Sequence, residues 1–109
     1  MAFNTKGPSP RQFQALVDVI FGSATVDPGD TAAGADAQTN VTITGVAVGD
    51  AVIFFPGVAI TSGVTVQATV SAANTVTLTF DNESGDHVNL ASSTWRFLVL
   101  RPKGDFAKI

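Results

Sequence analysis

The chain has 109 residues, of which 45% are hydrophobic and 14% are charged, and its formal net charge is −3. This length supports one hydrophobic core rather than two. The absence of cysteine excludes disulfides and thiol catalysis, and the single histidine, His87, excludes sites built from several histidines. Six basic residues against nine acidic ones give no indication of nucleic-acid binding.

Charge is divided unevenly along the chain. No Lys or Arg lies between Gln12 and Trp95, whereas eight carboxylates do. The six bases lie toward the two ends of the chain: Lys6, Arg11, Arg96, Arg101, Lys103 and Lys108. A lone domain usually intersperses its charges, so this segregation indicates basic tails that meet an acidic surface. Chance in a weakly charged chain is the alternative explanation.

Residues 1–22 are predicted to form an N-terminal segment separate from the main body. Residues 1–10 are polar and do not resemble a signal peptide, and no apolar run of the chain approaches the roughly 20 residues of a membrane span. Four apolar residues have the spacing of one helical face: Phe13, Leu16, Val17 and Ile20. Alternate apolar residues in the same stretch also fit an extended arm, so either a helix over residues 10–20 or an arm is predicted.

Residues 23–101 are predicted to form an all-β domain, with a short tail at 102–109. Thirteen threonines and fourteen valines favour strands, and glycines and prolines separate them at intervals typical of turns. The predicted strands are 23–26, 39–44, 51–55, 64–71, 75–80 and 94–100. Six or seven short strands at this spacing indicate an antiparallel β-sandwich or a jelly-roll-like barrel.

The clearest predicted element is a hairpin over residues 64–80, with its turn at 72–74. Its inward row is Val64, Val66, Ala68, Val70, Val76, Leu78 and Phe80. Its outward row of threonines and Gln67 lacks the charges that discourage sheet association, so it predicts either a solvated face or the packing face of an oligomer. Residues 51–55 are continuously apolar, which indicates a strand buried on both faces, and Phe54 and Phe55 are predicted to lie in the core or at a subunit interface.

Residues of catalytic or metal-binding type give only weak candidates. The loop 81–87 holds three carboxylates and His87, which fits either a calcium site or an ordinary solvated loop. No serine lies in a nucleophile-elbow pattern, and nothing brings two carboxylates together as a glycosidase requires. Trp95 alternates with Phe97 and Val99, so it is predicted to be a core residue rather than a sugar platform. We therefore expect no enzyme activity, no cofactor and no metal.

Three ordered motifs lie at residues 41–52 (VTITGVAVGDAV), 70–77 (VSAANTVT) and 90–96 (LASSTWR). This pattern resembles a family of small virion structural proteins encoded by tailed bacteriophages. The resemblance spans about residues 23–100, which is most of the chain. It implies a protein of the phage particle and leaves the function of the first 21 residues unassigned.

The resemblance, the absence of catalytic residues and the segregated charge together suggest a capsid decoration, or cement, protein located on the virion surface and made in the host cytoplasm. We expect it to bind the major capsid protein, to stabilise the capsid lattice, and to contact neither nucleic acid nor membrane. A homo-oligomer is expected, and capsid threefold axes suggest a trimer. The alternative is a receptor- or glycan-binding module of a tail or head fibre that acts through loops such as 81–89. The predicted capsid or subunit contacts are Phe3, Lys6, Arg11, Phe13, Leu16, Ile20, Phe21, Arg101 and Lys103.

Overall fold

The computed structural model describes residues 15–108, which form eight strands and a terminal 3₁₀ helix. The strands are β1 (Val17–Val26), β2 (Gly29–Thr31), β3 (Asp36–Thr42), β4 (Ala51–Phe55), β5 (Val64–Ala72), β6 (Thr75–Asn82), β7 (Val88–Leu90) and β8 (Ser93–Pro102). The 3₁₀ helix is Gly104–Lys108. The prediction of an all-β protein, made from the alternation of apolar and polar residues, is therefore confirmed.

All strand pairs are antiparallel, and they form three sheets. The first sheet has the order β1-β8-β4, the second β3-β6-β5, and the short third sheet pairs β2 with β7. The first and second sheets pack face to face, with β1 beside β3 and β4 beside β5. The result is an antiparallel β-sandwich whose core lies between two three-stranded layers.

Aromatic side chains from both layers meet at the centre of the core. Trp95 on β8 is fully buried and stacks on Phe54 of β4, with ring centroids 5.7 Å apart. Phe80 of β6 meets Trp95 edge-on at 5.8 Å, an arrangement that aromatic quadrupoles favour. The prediction that Trp95 is a core residue is therefore confirmed. The inward row of the β5–β6 hairpin faces the same core.

Gly22 allows β1 to approach the second layer closely. A Cβ atom at this position would lie 2.7 Å from Cγ2 of Ile43, a core residue. Any larger side chain would force the buried isoleucine to move, and overpacking of a close-packed core destabilises the fold. A glycine in the middle of an apolar strand here therefore serves the packing of the two layers.

Two sequence-based expectations about the N-terminal segment need correction. The helix over residues 10–20 is wrong from Val17 onward, because residues 17–26 pair with β8 along their whole length. The sandwich consequently begins at Val17, ahead of the boundary placed at residue 22. All ten residues of β1 pair with the central strand β8. This pairing outweighs the local spacing of apolar residues, which fits a helix equally well.

Two further expectations about strands also differ from the structure. The apolar strand β4 is buried on one face only, because Val52 and Phe54 point to the core while Ile53 and Phe55 are exposed. The three-residue strands β2 and β7 escaped prediction, since their pairing is long-range and their sequences have no clear alternation.

Candidate functional site

The outer face of the first sheet is apolar and exposed. The register places nine outward positions in three rows across β1, β8 and β4. Seven of these positions are apolar: Val19, Phe21, Leu98, Leu100, Ala51, Ile53 and Phe55. We call these seven residues the apolar face. Ser23 and Arg96 occupy the other two positions, in the row that ends at Phe55.

The largest side chains of the apolar face lie substantially in solvent. Phe21 is 78% exposed, Phe55 50%, Ile53 44% and Val19 37%. If a phenylalanine side chain covers about 200 Å², the two rings alone leave roughly 250 Å² of apolar surface in water. Contiguous apolar patches larger than a few hundred Å² are uncommon on monomeric proteins and often mark interaction sites, so the apolar face is a candidate for contact with another macromolecule.

Arg96 is the single charged residue among these nine outward positions. Among the described side chains, which leave out that of Asp105, its guanidinium forms no ion pair. It lines a shallow open groove together with Phe21, Ser23, Phe55 and Leu98. Phenylalanine and arginine are among the residues enriched at protein interfaces.

The outer face of the second sheet has a different character. Its outward rows carry mainly Thr, Asn and Gln, and they include the predicted polar row of the hairpin. The Thr77 hydroxyl lies 2.8 Å from Oδ1 of Asn40 and 2.7 Å from Oγ of Ser71. Because these groups bond to one another and to solvent, this face needs no partner. The polar stripe therefore fits the solvated face, which was one of its two sequence-based interpretations.

Both described chain ends meet at one end of the sandwich. Val17 opens β1 directly opposite Pro102, which closes β8. The backbone N–H of Lys103 donates a 2.8 Å hydrogen bond to the carbonyl of Leu16. The Lys103 ammonium lies 3.0 Å from the carboxylate of Asp18. We call this region, with the 3₁₀ helix that follows it, the basic end.

Arg101 is held in place beside the basic end by a bidentate ion pair. Its Nε and Nη2 donate to the two carboxylate oxygens of Asp50 at 2.9 and 2.8 Å. Nη2 also donates to the carbonyl of Gly45 at 2.7 Å. Asp50 accepts a further bond from the N–H of Ala47, and its side chain is only 3% exposed. The hydrogen bond from Arg101 is the main cause that lowers the pKa of Asp50, and the Ala47 N–H acts in the same direction against burial.

Six carboxylates lie at the opposite end of the sandwich. They are Asp27, Asp30, Asp36, Asp81, Glu83 and Asp86. The register puts Asp36 directly opposite Asp81, a like-charge pair that destabilises a sheet. The segregation of charge along the sequence is thus partly a segregation in space, with six acids at one end and the bases Arg101 and Lys103, each paired with one acid, at the other.

Asn82 organises the loop that carries several of these acids. The side chain is almost fully buried, and its amide donates to the carbonyls of Thr31 and Asp86 at 2.9 and 2.7 Å. Its carbonyl oxygen accepts from the N–H and the hydroxyl of Ser84. The exposed His87 ring lies 3.1 Å from the carboxylate of Asp30. These interactions fix the loop, and the buried asparagine that does so carried no signal in the sequence beyond its place at a strand end.

Within residues 15–108, no group of three or more acidic or histidine side chains is placed to hold a metal ion. The carboxylates of the 81–87 loop therefore do not converge on one point. The same part of the chain contains no helix of the length and apolar character that crosses a bilayer.

The motif residues mainly join segments of the fold. Asn74 has a positive φ of 60° at the hairpin turn, as expected for asparagine there. Its backbone carbonyl accepts from Ile43, its side chain accepts from Gly45, and its own N–H donates to Val46. The first two motifs are therefore in contact, and their glycine and asparagine serve turn geometry rather than chemistry.

The predicted contact residues lie in several different environments. Phe3, Lys6, Arg11 and Phe13 lie outside the described residues. Ile20 packs against the core, so the fold explains an apolar residue there without a capsid or subunit contact. Arg101 and Lys103 lie at the basic end, each in an ion pair, and Leu16 is beside them. Phe21 belongs to the apolar face.

Sequence reasoning missed most of the apolar face. Ile53, Leu98 and Leu100 are outward residues within strongly apolar strands, and such strands are typical of full burial. Two predictions pointed to this surface: Phe21 as a capsid or subunit contact, and the alternative that placed Phe54 and Phe55 at a subunit interface. Only the strand order β1-β8-β4 shows that these residues share the uncovered outer side of the first sheet.

Comparisons with models of protein families and with curated proteins find no match to this chain. The likeness to phage particle proteins therefore depends on the three motifs alone.

Proposed function

We propose that the chain is a non-enzymatic structural protein of a tailed-phage particle, a decoration protein that binds the outer surface of the head and stabilises the capsid lattice. The observation that carries the proposal is the convergence of both chain ends at the basic end of the sandwich. Lys103 and the 3₁₀ helix leave this end, and the described part of the chain begins there, after Lys6 and Arg11 in the sequence.

Attachment then works by adhesion between oppositely charged surfaces. The basic end faces an acidic surface of the major capsid protein, and the acidic end of the sandwich points away from the head. Complementary charge steers the encounter and fixes orientation more than it adds affinity. Contacts that are weak singly sum to lasting occupancy when many copies and several contacts per copy act together.

A sedimentation assay with heads that lack the protein tests the proposal. The full chain should bind saturably and lose affinity with added salt, because the Debye length falls from about 10 Å at 0.1 M to about 3 Å at 1 M. Lys103→Gln should weaken binding about two- to fivefold, the range of an exposed charge pair. The matched control is Arg96→Gln, which removes the same charge near the other end and should leave binding unchanged.

Two results would contradict attachment through the basic end. One is binding that does not respond to salt, and the other is an equal loss of affinity in both variants. A chain that ignores heads but binds glycans, with loss of binding after substitutions in residues 81–89, would instead establish the receptor-binding alternative. The loop offers that alternative little support, because Asn82 already satisfies the buried polar groups near it.

A further inference from the structure

We infer that the apolar face packs against the same face of a second copy of this chain, around a two-fold axis. The inference goes beyond attachment to a head and does not depend on it. In a two-fold contact each copy presents the same patch, so the patch must be compatible with itself. The apolar face meets this condition because none of its seven residues is charged.

The sheet has the dimensions that a stable pair needs. β1 and β8 each run ten residues, so the face is about 33 Å long, but β4 runs only five, so the face is about 14 Å wide over half of its length and about 10 Å wide over the rest. Because side chains expose more area than this outline, the face offers roughly 600 Å² per partner, the lower end of the standard interface size. Two sheets packed this way would repeat the aligned packing that the sandwich already uses internally.

Arg96 is compatible with this arrangement. A two-fold axis that lies between the two sheets and crosses β8 near Val99 at right angles to the strands puts Arg96 three residues from the axis on each copy, so the two guanidinium groups lie roughly 20 Å apart. That separation exceeds the Debye length of about 8 Å at physiological salt. Each arginine then lies at the rim, where its stem covers apolar surface and its charge remains in water.

Other occupants fit this surface less well. A nucleic acid or a strongly acidic protein needs a cluster of basic groups, and Arg96 is alone among the nine outward positions. The contrast with the second sheet is also informative, since its outer face is polar and satisfies itself through bonds such as Thr77–Asn40. Only one of the two outer faces therefore needs to be covered.

The test is the mass of the purified full chain, measured by sedimentation equilibrium at micromolar concentration and above. The wild-type chain should have twice its single-chain mass. Phe21→Lys and Ile53→Lys, on the two edge strands of the first sheet, should each halve the mass. The matched control is Gln67→Lys, which puts the same charge on the outer face of an edge strand of the second sheet and should leave the pair intact.

Two substitutions on different strands guard against failure of one variant to fold, which circular dichroism would reveal. A wild-type chain of single mass at all concentrations would overturn the inference, as would a trimeric mass. A dimer that persists in both Phe21→Lys and Ile53→Lys would overturn the inference as well. So would a dimer that only Gln67→Lys dissociates. Because the measurement contains no heads, its failure leaves the head-binding proposal standing, and failure of head binding leaves this inference standing.

Discussion

Asp50 joins β8 to the loop between β3 and β4. Its buried carboxylate accepts hydrogen bonds from Arg101 on β8 and from the N–H of Ala47, and Arg101 continues to the carbonyl of Gly45. An ion pair with two parallel hydrogen bonds is stronger and more directional than a single contact. Arg101, which sequence analysis assigned to a capsid contact, therefore has a definite role within the fold.

The lowered pKa of Asp50 predicts how stability depends on pH. Because the folded pKa lies below the unfolded value of about 3.9, its contribution is fully present above that value and is lost as pH falls through the folded pKa. Asp50→Asn should reduce the unfolding free energy at pH 7 and flatten its loss in acid, since an amide nitrogen cannot accept from Arg101. Urea unfolding at pH 7 and pH 3 measures both effects.

The matched control for this prediction is Glu83→Gln, which removes an exposed carboxylate that forms no ion pair among residues 15–108. It should leave both the stability at pH 7 and the acid dependence close to those of the wild type. An Asp50→Asn variant that behaves like this control would show that the buried pair contributes nothing.

At the scale of elements, β1 determines where the chain can be shortened. Residues 17–21 pair with residues 98–102 of β8, and Val17 and Ile20 belong to the buried or partly buried interior. Deleting residues 1–14 should leave a cooperatively unfolding sandwich. Deleting residues 1–21 should abolish the folded state, because it removes half of an edge strand from a domain stabilised by only about 5–15 kcal/mol.

Thermal unfolding followed by circular dichroism distinguishes these two deletions. A sandwich that still unfolds cooperatively after removal of residues 1–21 would show that the first half of β1 is dispensable. The result matters for the head-binding assay, because a deletion that tests the N-terminal segment has to stop before Val17.

The same elements show what the sequence could and could not predict. The β5–β6 hairpin was predictable because its strict alternation, its turn asparagine and its register all agree. β1 was ambiguous because the apolar residues at 13, 16, 17 and 20 fit a helix while 17, 19 and 21 fit a strand, and only pairing with β8 decides. The exposed half of β4 could not be predicted, since continuous apolar residues do not reveal which face a second sheet covers.

The sequence predicts the charged parts of the candidate site, but it does not predict the apolar face. The separation of bases from acids is visible in the sequence, and the fold converts it into two opposite ends. The apolar face depends on which strands are neighbours, because Phe21, Leu98 and Ile53 are 32 or more residues apart in sequence and become adjacent only through the order β1-β8-β4.

At the scale of the whole molecule, the sandwich has three distinct surfaces: a basic end, an acidic end and one apolar sheet face. We propose that the basic end binds the head and that the apolar face joins two copies. Such a division lets one small domain assemble with itself and attach to a lattice without the two contacts competing. We therefore propose a two-fold pair in place of the trimer that capsid symmetry suggested.

Quantitative mass spectrometry of purified particles of the encoding phage tests the central claim, a role in the virion, most directly. The quantity to measure is the ratio of this chain to the major capsid protein. We predict a ratio near one or a simple fraction of it, as a protein repeated over the whole lattice requires. Absence from the particle would contradict the account, and a few copies per particle would contradict decoration of the head and place the chain in the tail or a fibre.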